Sequence, residues 1–142
     1  MNLNLNESEV KHLLQALSIY EWVSNSPHEE ADSAVEEFCQ SVLKKLQTLG
    51  VKEPITSDDG VLTVDETFFQ EVFESYIEPY NDDVFWSDLS TELAQRDLEE
   101  KHSPKELEAL SPDEYEAKVT KIAETYDKEF ETNGVDKLFL KK

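Results

Sequence analysis

Residues 111–134 read SPDEYEAKVTKIAETYDKEFETNG, and their spacing decides the fold class. Ser111 suits an N-cap, which accepts from a free backbone N–H. Pro112 suits the first helical position, where a missing donor costs nothing, and Glu114 reaches back from the third. Tyr115, Val119, Ile122, Tyr126 and Phe130 then follow at intervals of 4, 3, 4 and 4 residues. That is one apolar seam on a helix, and Gly134 ends it.

The same S-P-x-E opening recurs at Ser26-Pro27-His28-Glu29 and Ser103-Pro104-Lys105-Glu106, with looser versions at Asn6–Glu9 and Thr63–Glu66. Phosphorylation of the Ser-Pro pairs would explain two residues of the motif, whereas capping explains all four. Five or six helices are therefore expected. The first carries Val10, Leu13, Leu14, Leu17, Tyr20 and Trp22. The second opens at Ser26, carries Ala31, Ala34, Val35, Phe38, Val42, Leu46 and Leu49, and stops at Gly50. The third is capped at Thr63, carries Phe68, Phe69, Val72, Phe73, Tyr76 and Ile77, and ends near Pro79. The fourth follows Asn81-Asp82-Asp83 and carries Phe85, Trp86, Leu89, Leu93 and Leu98. A short element holds Leu107 and Leu110 before the 111–134 helix. Between residues 51 and 64, Asp58-Asp59-Gly60 and the β-prone Val61–Val64 predict a small hairpin. The tail Val135–Leu140 reads as a short strand or a strap.

The chain's 142 residues suit one acidic helical domain, 1–142, since no low-complexity linker or internal repeat divides it. Three glycines and five prolines argue against a many-turned all-β fold. No apolar run approaches the ~18 residues of a membrane span. The first residues show no basic-then-apolar leader, and the single cysteine, Cys39, fits a reducing compartment, so a cytoplasmic location is expected.

The charge carries the functional signal. With 33 acids and 13 bases the formal net charge is −20, which opposes direct nucleic-acid binding. Residues 51–100 hold 15 acids against only Lys52 and Arg96. The 111–134 helix offers Glu114–Lys118 and Glu124–Lys128 as i,i+4 pairs, but the two preceding helices have almost no such partners. Glu71, Glu74 and Glu78 line one face, and Asp82, Asp83, Asp88 and Glu92 continue the acid into the fourth helix. Such spacings set carboxylates about 5–6 Å apart, near the repeat of nucleic-acid phosphates. Like charges so placed destabilise a helix slightly, so their return is solubility or attraction to a basic partner.

The chain is accordingly expected to be a non-catalytic binding protein that docks this face, with Trp86, on a basic protein. Inhibitors, immunity proteins and nucleic-acid mimics share that character. The alternative is an adaptor or homodimer using Tyr80, Trp86 and Leu138-Phe139-Leu140; the bland alternative is a merely solvated acidic surface. Phe85 and Trp86 are adjacent and point about 100° apart on a helix, which reads first as a wide apolar face and, as the alternative, as one residue serving the core and the other a partly exposed patch. Arg96, the sole arginine, is expected to pair with Glu92 or Glu100.

Other chemistries are weaker. Ile55–Glu66 partly matches a calcium loop through Ser57, Asp59, Gly60 and Glu66, but Ile55 stands where the anchoring Asp belongs. Glu71-x-x-Glu74 and Glu29-x-x-Asp32 have the spacing of Mg²⁺-binding helices in nucleotide hydrolases, a spacing that 33 acids produce by chance. His12, His28 and His102 are scattered, and Cys39 has no partner at metal spacing. No cofactor is expected, and Cys39 reads as a buried, inert thiol.

Overall fold

The computed structural model describes residues 4–139 and is all-α apart from one small hairpin, as the periodicity predicts. The elements are α1 (Glu7–Asn25), α2 (Ser33–Thr48), β1 (Ile55–Asp58), β2 (Val61–Val64), α3 (Glu66–Val72), a π-helical turn (Phe73–Ile77), α4 (Glu78–Lys101), α5 (Pro104–Glu108) and α6 (Pro112–Asn133). Contacts group the chain into two compact units, Met1–Pro79 and Tyr80–Lys142. No change of composition marks that boundary, because it falls within helical backbone rather than in a linker.

In the first unit, Asn6 caps α1 reciprocally: its Oδ1 accepts from Glu9 N at 3.0 Å, and Glu9 Oε2 accepts from Asn6 N at 2.8 Å. α1 buries Leu14 and Leu17 against Val35, Cys39, Leu43 and Leu46 of α2. Ile55 and Leu62 of the hairpin, Phe68 and Val72 of α3, and Ile77 complete the same core. Trp22 meets the Phe73 ring edge-on at 6.0 Å. Helix α2 ends in a Schellman arrangement, with Val51 N donating to Leu46 O and Gly50 N to Gln47 O, each at 3.0 Å. Gly50 there takes φ +98°, open to a residue without Cβ. The hairpin pairs Ile55 with Val64 and Asp58 with Val61. Its two loop residues, Asp59 and Gly60, both have positive φ (+46° and +85°), the type I′ geometry that Asp-Gly favours.

Several boundaries differ from expectation. Helix α2 opens at Ser33, not Ser26. Asp32 is the cap, its Oδ1 accepting from Ala34 N at 2.8 Å and Val35 N at 3.4 Å, and Asn25 Oδ1 anchors Asp32 N at 2.9 Å. Ser26 instead ends α1, its N–H donating to Trp22 O. The residues just after Ser26-Pro27 are polar and have no core to face, so the later cap, beside the first buried residue Val35, prevails. Ala31, Ala34, Phe38 and Leu49 are accordingly exposed. The cap of α3 is Asp65, which accepts from Phe68 N at 2.8 Å, because Thr63 is held in β2. No break occurs at Pro79. Its ring would clash with the carbonyl four residues back in a regular helix. The preceding π turn, closed by Glu78 N donating to Phe73 O, widens the spiral there.

The second unit is built on α4 and α6. Trp86 meets Phe130 near one end and Leu98 packs with Val119 near the other, so the helices run antiparallel. The α6 seam is as expected, with Val119 and Phe130 buried and Tyr115, Ile122 and Tyr126 half-buried. The buried line of α4 is not Leu89 and Leu93, which are half-buried, but Ser90, Ala94 and Leu98. Small side chains at that contact let α6 approach closely. Glu106 Oε2 accepts from Ser103 N and Oγ, and Glu114 Oε2 from Ser111 N and Oγ, at 2.7–2.9 Å.

Among the described residues the ion pairs are Arg96–Asp97 at 2.7 Å and Lys137–Glu129 at 3.0 Å. Glu114–Lys118 and Glu124–Lys128 therefore do not close; Glu114 is held by the Ser111 cap. Arg96 binds its neighbour Asp97 rather than Glu92, because Asp97 is fixed in place by Tyr126. After Gly134 the tail turns, with Leu138 N donating to Val135 O at 2.9 Å, so no strand forms through residue 139; Leu140 lies outside the described residues.

Candidate acidic binding surface

The first unit contributes Glu71, Glu74 and Glu78, all exposed. Glu71 is exposed in α3, about 80° round the helix from the line that buries Phe68 and Val72. Glu74 lies in the π turn, where Gln70 Nε2 donates to its Oε1 at 2.8 Å. A π turn aligns a residue with the one five on rather than four, so Glu78 is rotated from the line a regular helix would give it.

The second unit contributes Asp82, Asp83, Asp88 and Glu92 of α4, all exposed, and half-buried Trp86. These four acids do not form one stripe. Asp88 and Glu92 are i,i+4 neighbours on one line, whereas Asp83 lies near the line of Trp86 and Ser90 that faces α6. None of the seven carboxylates has a cation within ion-pair distance among the described residues.

Trp86 is the residue that organises the α6 side. Its ring lies 5.4 Å from that of Phe130 at an interplanar angle of 39°. Phe85 meets it edge-on at 4.9 Å while remaining 52% exposed. The adjacent pair divides as the alternative reading has it, not as one wide apolar face: Trp86 turns inward and Phe85 outward, though their rings still touch.

Beside this aromatic pair is an open cavity of about 480 Å³ lined by Asp83, Trp86, Ser90, Asp127, Phe130 and Glu131, among others. Ser90 is 1% exposed, and its Oγ has no hydrogen-bond partner among the described residues. Ser18, also buried in a helix, returns its hydroxyl to Leu14 O at 2.9 Å. Ser90, Asp127 and Glu131 were not singled out in the sequence. The available signals were a lone polar residue on the α4 line 86-90-94-98 and an acidic i,i+4 pair flanking Phe130.

The remaining candidates have structural roles. Ile55 is buried in β1 opposite Val64, and Asp59-Gly60 form the hairpin turn, so the Ile55–Glu66 segment has no calcium-loop geometry. Asp32 is the N-cap of α2 and Glu29 lies before that helix, so the two do not share a helical face. Among the described residues no group of three or more His, Cys, Asp or Glu side chains is placed to hold a metal ion. Cys39 is buried, its thiol pushed up to about 11 by burial and, secondarily, by the Glu21 charge. No helix among the described residues is long and apolar enough to cross a membrane. No protein-family model, curated protein or solved structure matches this chain.

Proposed function

We propose that this chain is a non-catalytic, cytoplasmic binding protein that presents exposed carboxylates to a basic protein, in the manner of an inhibitor, an immunity protein or a nucleic-acid mimic. The observation that carries the reading is that Glu71, Glu74, Glu78, Asp82, Asp83, Asp88 and Glu92 are all exposed and none is in an ion pair among the described residues. Charges left unpaired within the fold contribute little to its stability but supply long-range attraction to an oppositely charged surface. The test has two stages. A basic protein is recovered from host lysate at low salt, and its affinity is then measured across a salt series with the wild type and with E71K/E74K/D82K/D83K. Affinity falls steeply with salt and is lost in the variant, whose circular dichroism is unchanged. Affinity indifferent to salt or to the charge reversal refutes the reading.

A second reading draws on apolar exposure. Tyr80 is 66% and Phe139 85% exposed, and Phe85 and Leu138 lie open as well. With Trp86 they would serve an adaptor or a homodimer, and that assembly would persist at high salt.

A further inference from the structure

We propose that the cavity between α4 and α6 receives an arginine side chain of the basic partner, with the guanidinium against Trp86 and its N–H groups directed to Ser90, Asp127 and Glu131. This deepens the acidic-docking reading and rests on it. Three features converge on a planar organic cation. Asp83, Asp127 and Glu131 line the opening with negative charge, which excludes anions. Trp86 and Phe130 present aromatic surface, whose faces attract cations, and a guanidinium stacks there better than an ammonium. The third is Ser90, a buried hydroxyl with an unused acceptor, and such groups in native folds call for an explanation. An apolar occupant would leave Ser90 unsatisfied and strip water from the carboxylates. Asp83, Asp127 and Glu131 do not converge on one point, and among the described residues no group of three such side chains is placed to hold a bare divalent ion.

The test uses the intact protein, labelled with ¹⁵N, and N-acetyl-arginine amide as the probe. Its two indole N–H signals come from Trp22 and Trp86, and Trp22, packed on Phe73 in the other unit, serves as the internal reference. At millimolar probe the Trp86 indole and the Ser90 amide shift saturably while Trp22 stays. The citrulline amide, equal in shape and uncharged, binds at least about ten-fold more weakly. Ser90→Ala weakens the arginine probe several-fold and at the same time raises the melting temperature, so a loss of binding cannot be ascribed to misfolding. An unmoved Trp86 signal, equal binding of citrulline, or unchanged affinity in Ser90→Ala overturns the proposal. E71K/E74K, which leaves the cavity intact, separates the two ideas. If the partner ignores that change and salt while the arginine probe still binds, acidic docking fails and the cavity stands. If the partner responds and the probe does not bind, the cavity fails and acidic docking stands.

Discussion

The Tyr126 hydroxyl donates to Asp97 Oδ2 at 2.6 Å, and Arg96 Nη2 donates to Asp97 Oδ1 at 2.7 Å and to the same Tyr126 oxygen at 3.2 Å. One carboxylate thus ties α6 to α4. The Tyr126 bond first, and the Arg96 bond second, hold the Asp97 carboxyl below its ordinary range. A carboxyl with a lowered folded-state pKa contributes stability above its unfolded pKa, and that contribution is lost as pH falls through the folded value. Tyr126→Phe should cost about 1–1.5 kcal/mol at neutral pH, and the difference from wild type should shrink on acidification below about pH 4. Urea unfolding at the two pH values measures both. A pH-independent difference would mean that the ionised form of Asp97 is not what the bond stabilises.

Gln40 binds the edge of the hairpin as a peptide group would. Its Nε2 donates to Leu62 O at 2.6 Å, and its Oε1 accepts from Leu62 N at 2.9 Å. A two-stranded hairpin is marginal alone, so this clamp and the burial of Ile55 and Leu62 are what hold it on α2. Gln40→Ala should destabilise the protein by about 2 kcal/mol, and Gln40→Glu, whose ionised carboxylate sets an oxygen against the Leu62 carbonyl oxygen, by at least as much at neutral pH. Hydrogen exchange at the Leu62 amide should accelerate in the alanine variant.

The Ser90 hydroxyl is buried with no hydrogen-bond partner among the described residues. Deleting it removes a desolvated polar atom, so Ser90→Ala should stabilise the protein by about 1 kcal/mol. For a chain of this size the melting temperature should rise by about 3 °C, read by calorimetry. A fall in melting temperature would show that the hydroxyl already has a partner in solution.

Glu21 carries an unfavourable charge. Burial first, and the Glu36 charge second, raise its pKa. Stability associated with a raised carboxyl is fully present below the unfolded value and is lost as pH rises through the folded one. Glu21→Gln should therefore be more stable than wild type at pH 7 and indistinguishable near pH 4. The same variant removes the secondary cause of the high Cys39 pKa, the primary one being burial. Alkylation of Cys39 should be slow in the native protein and appear only on unfolding, with Glu21→Gln changing the native rate little.

The local features were legible because local interactions decide them. The Ser111–Glu114 and Asn6–Glu9 caps, the Asp59-Gly60 turn, the Gly50 stop and the Tyr115–Phe130 seam each depend on residues within about one or two helical turns. Asp88 and Glu92 were legible as exposed for the same reason, since they sit out of phase with buried Ser90 and Ala94, whereas Asp83 shares the line of Trp86 and Ser90 and is exposed only because it lies near the start of α4. Where two local signals competed, sequence reading chose wrongly. Ser26-Pro27 was the better capping motif, yet Asp32 caps α2, since the helix begins where its first side chain meets a core.

What the sequence by itself determined, then, is the class of fold, the helix ends marked by Asn6, Gly50, Ser103, Ser111 and Gly134, the hairpin turn and a surface rich in carboxylate. Only the tertiary structure decided that Ser90 and Ala94, rather than Leu89 and Leu93, share the buried line of α4 with Leu98. It alone set the Gln40 clamp across 22 residues, the Tyr126–Asp97 bond across 29, and the boundary of two units inside helical backbone. The physical reason is range. Periodicity and caps are read within a turn, whereas burial of a hydroxyl or the choice of an ion partner depends on which distant element packs against it.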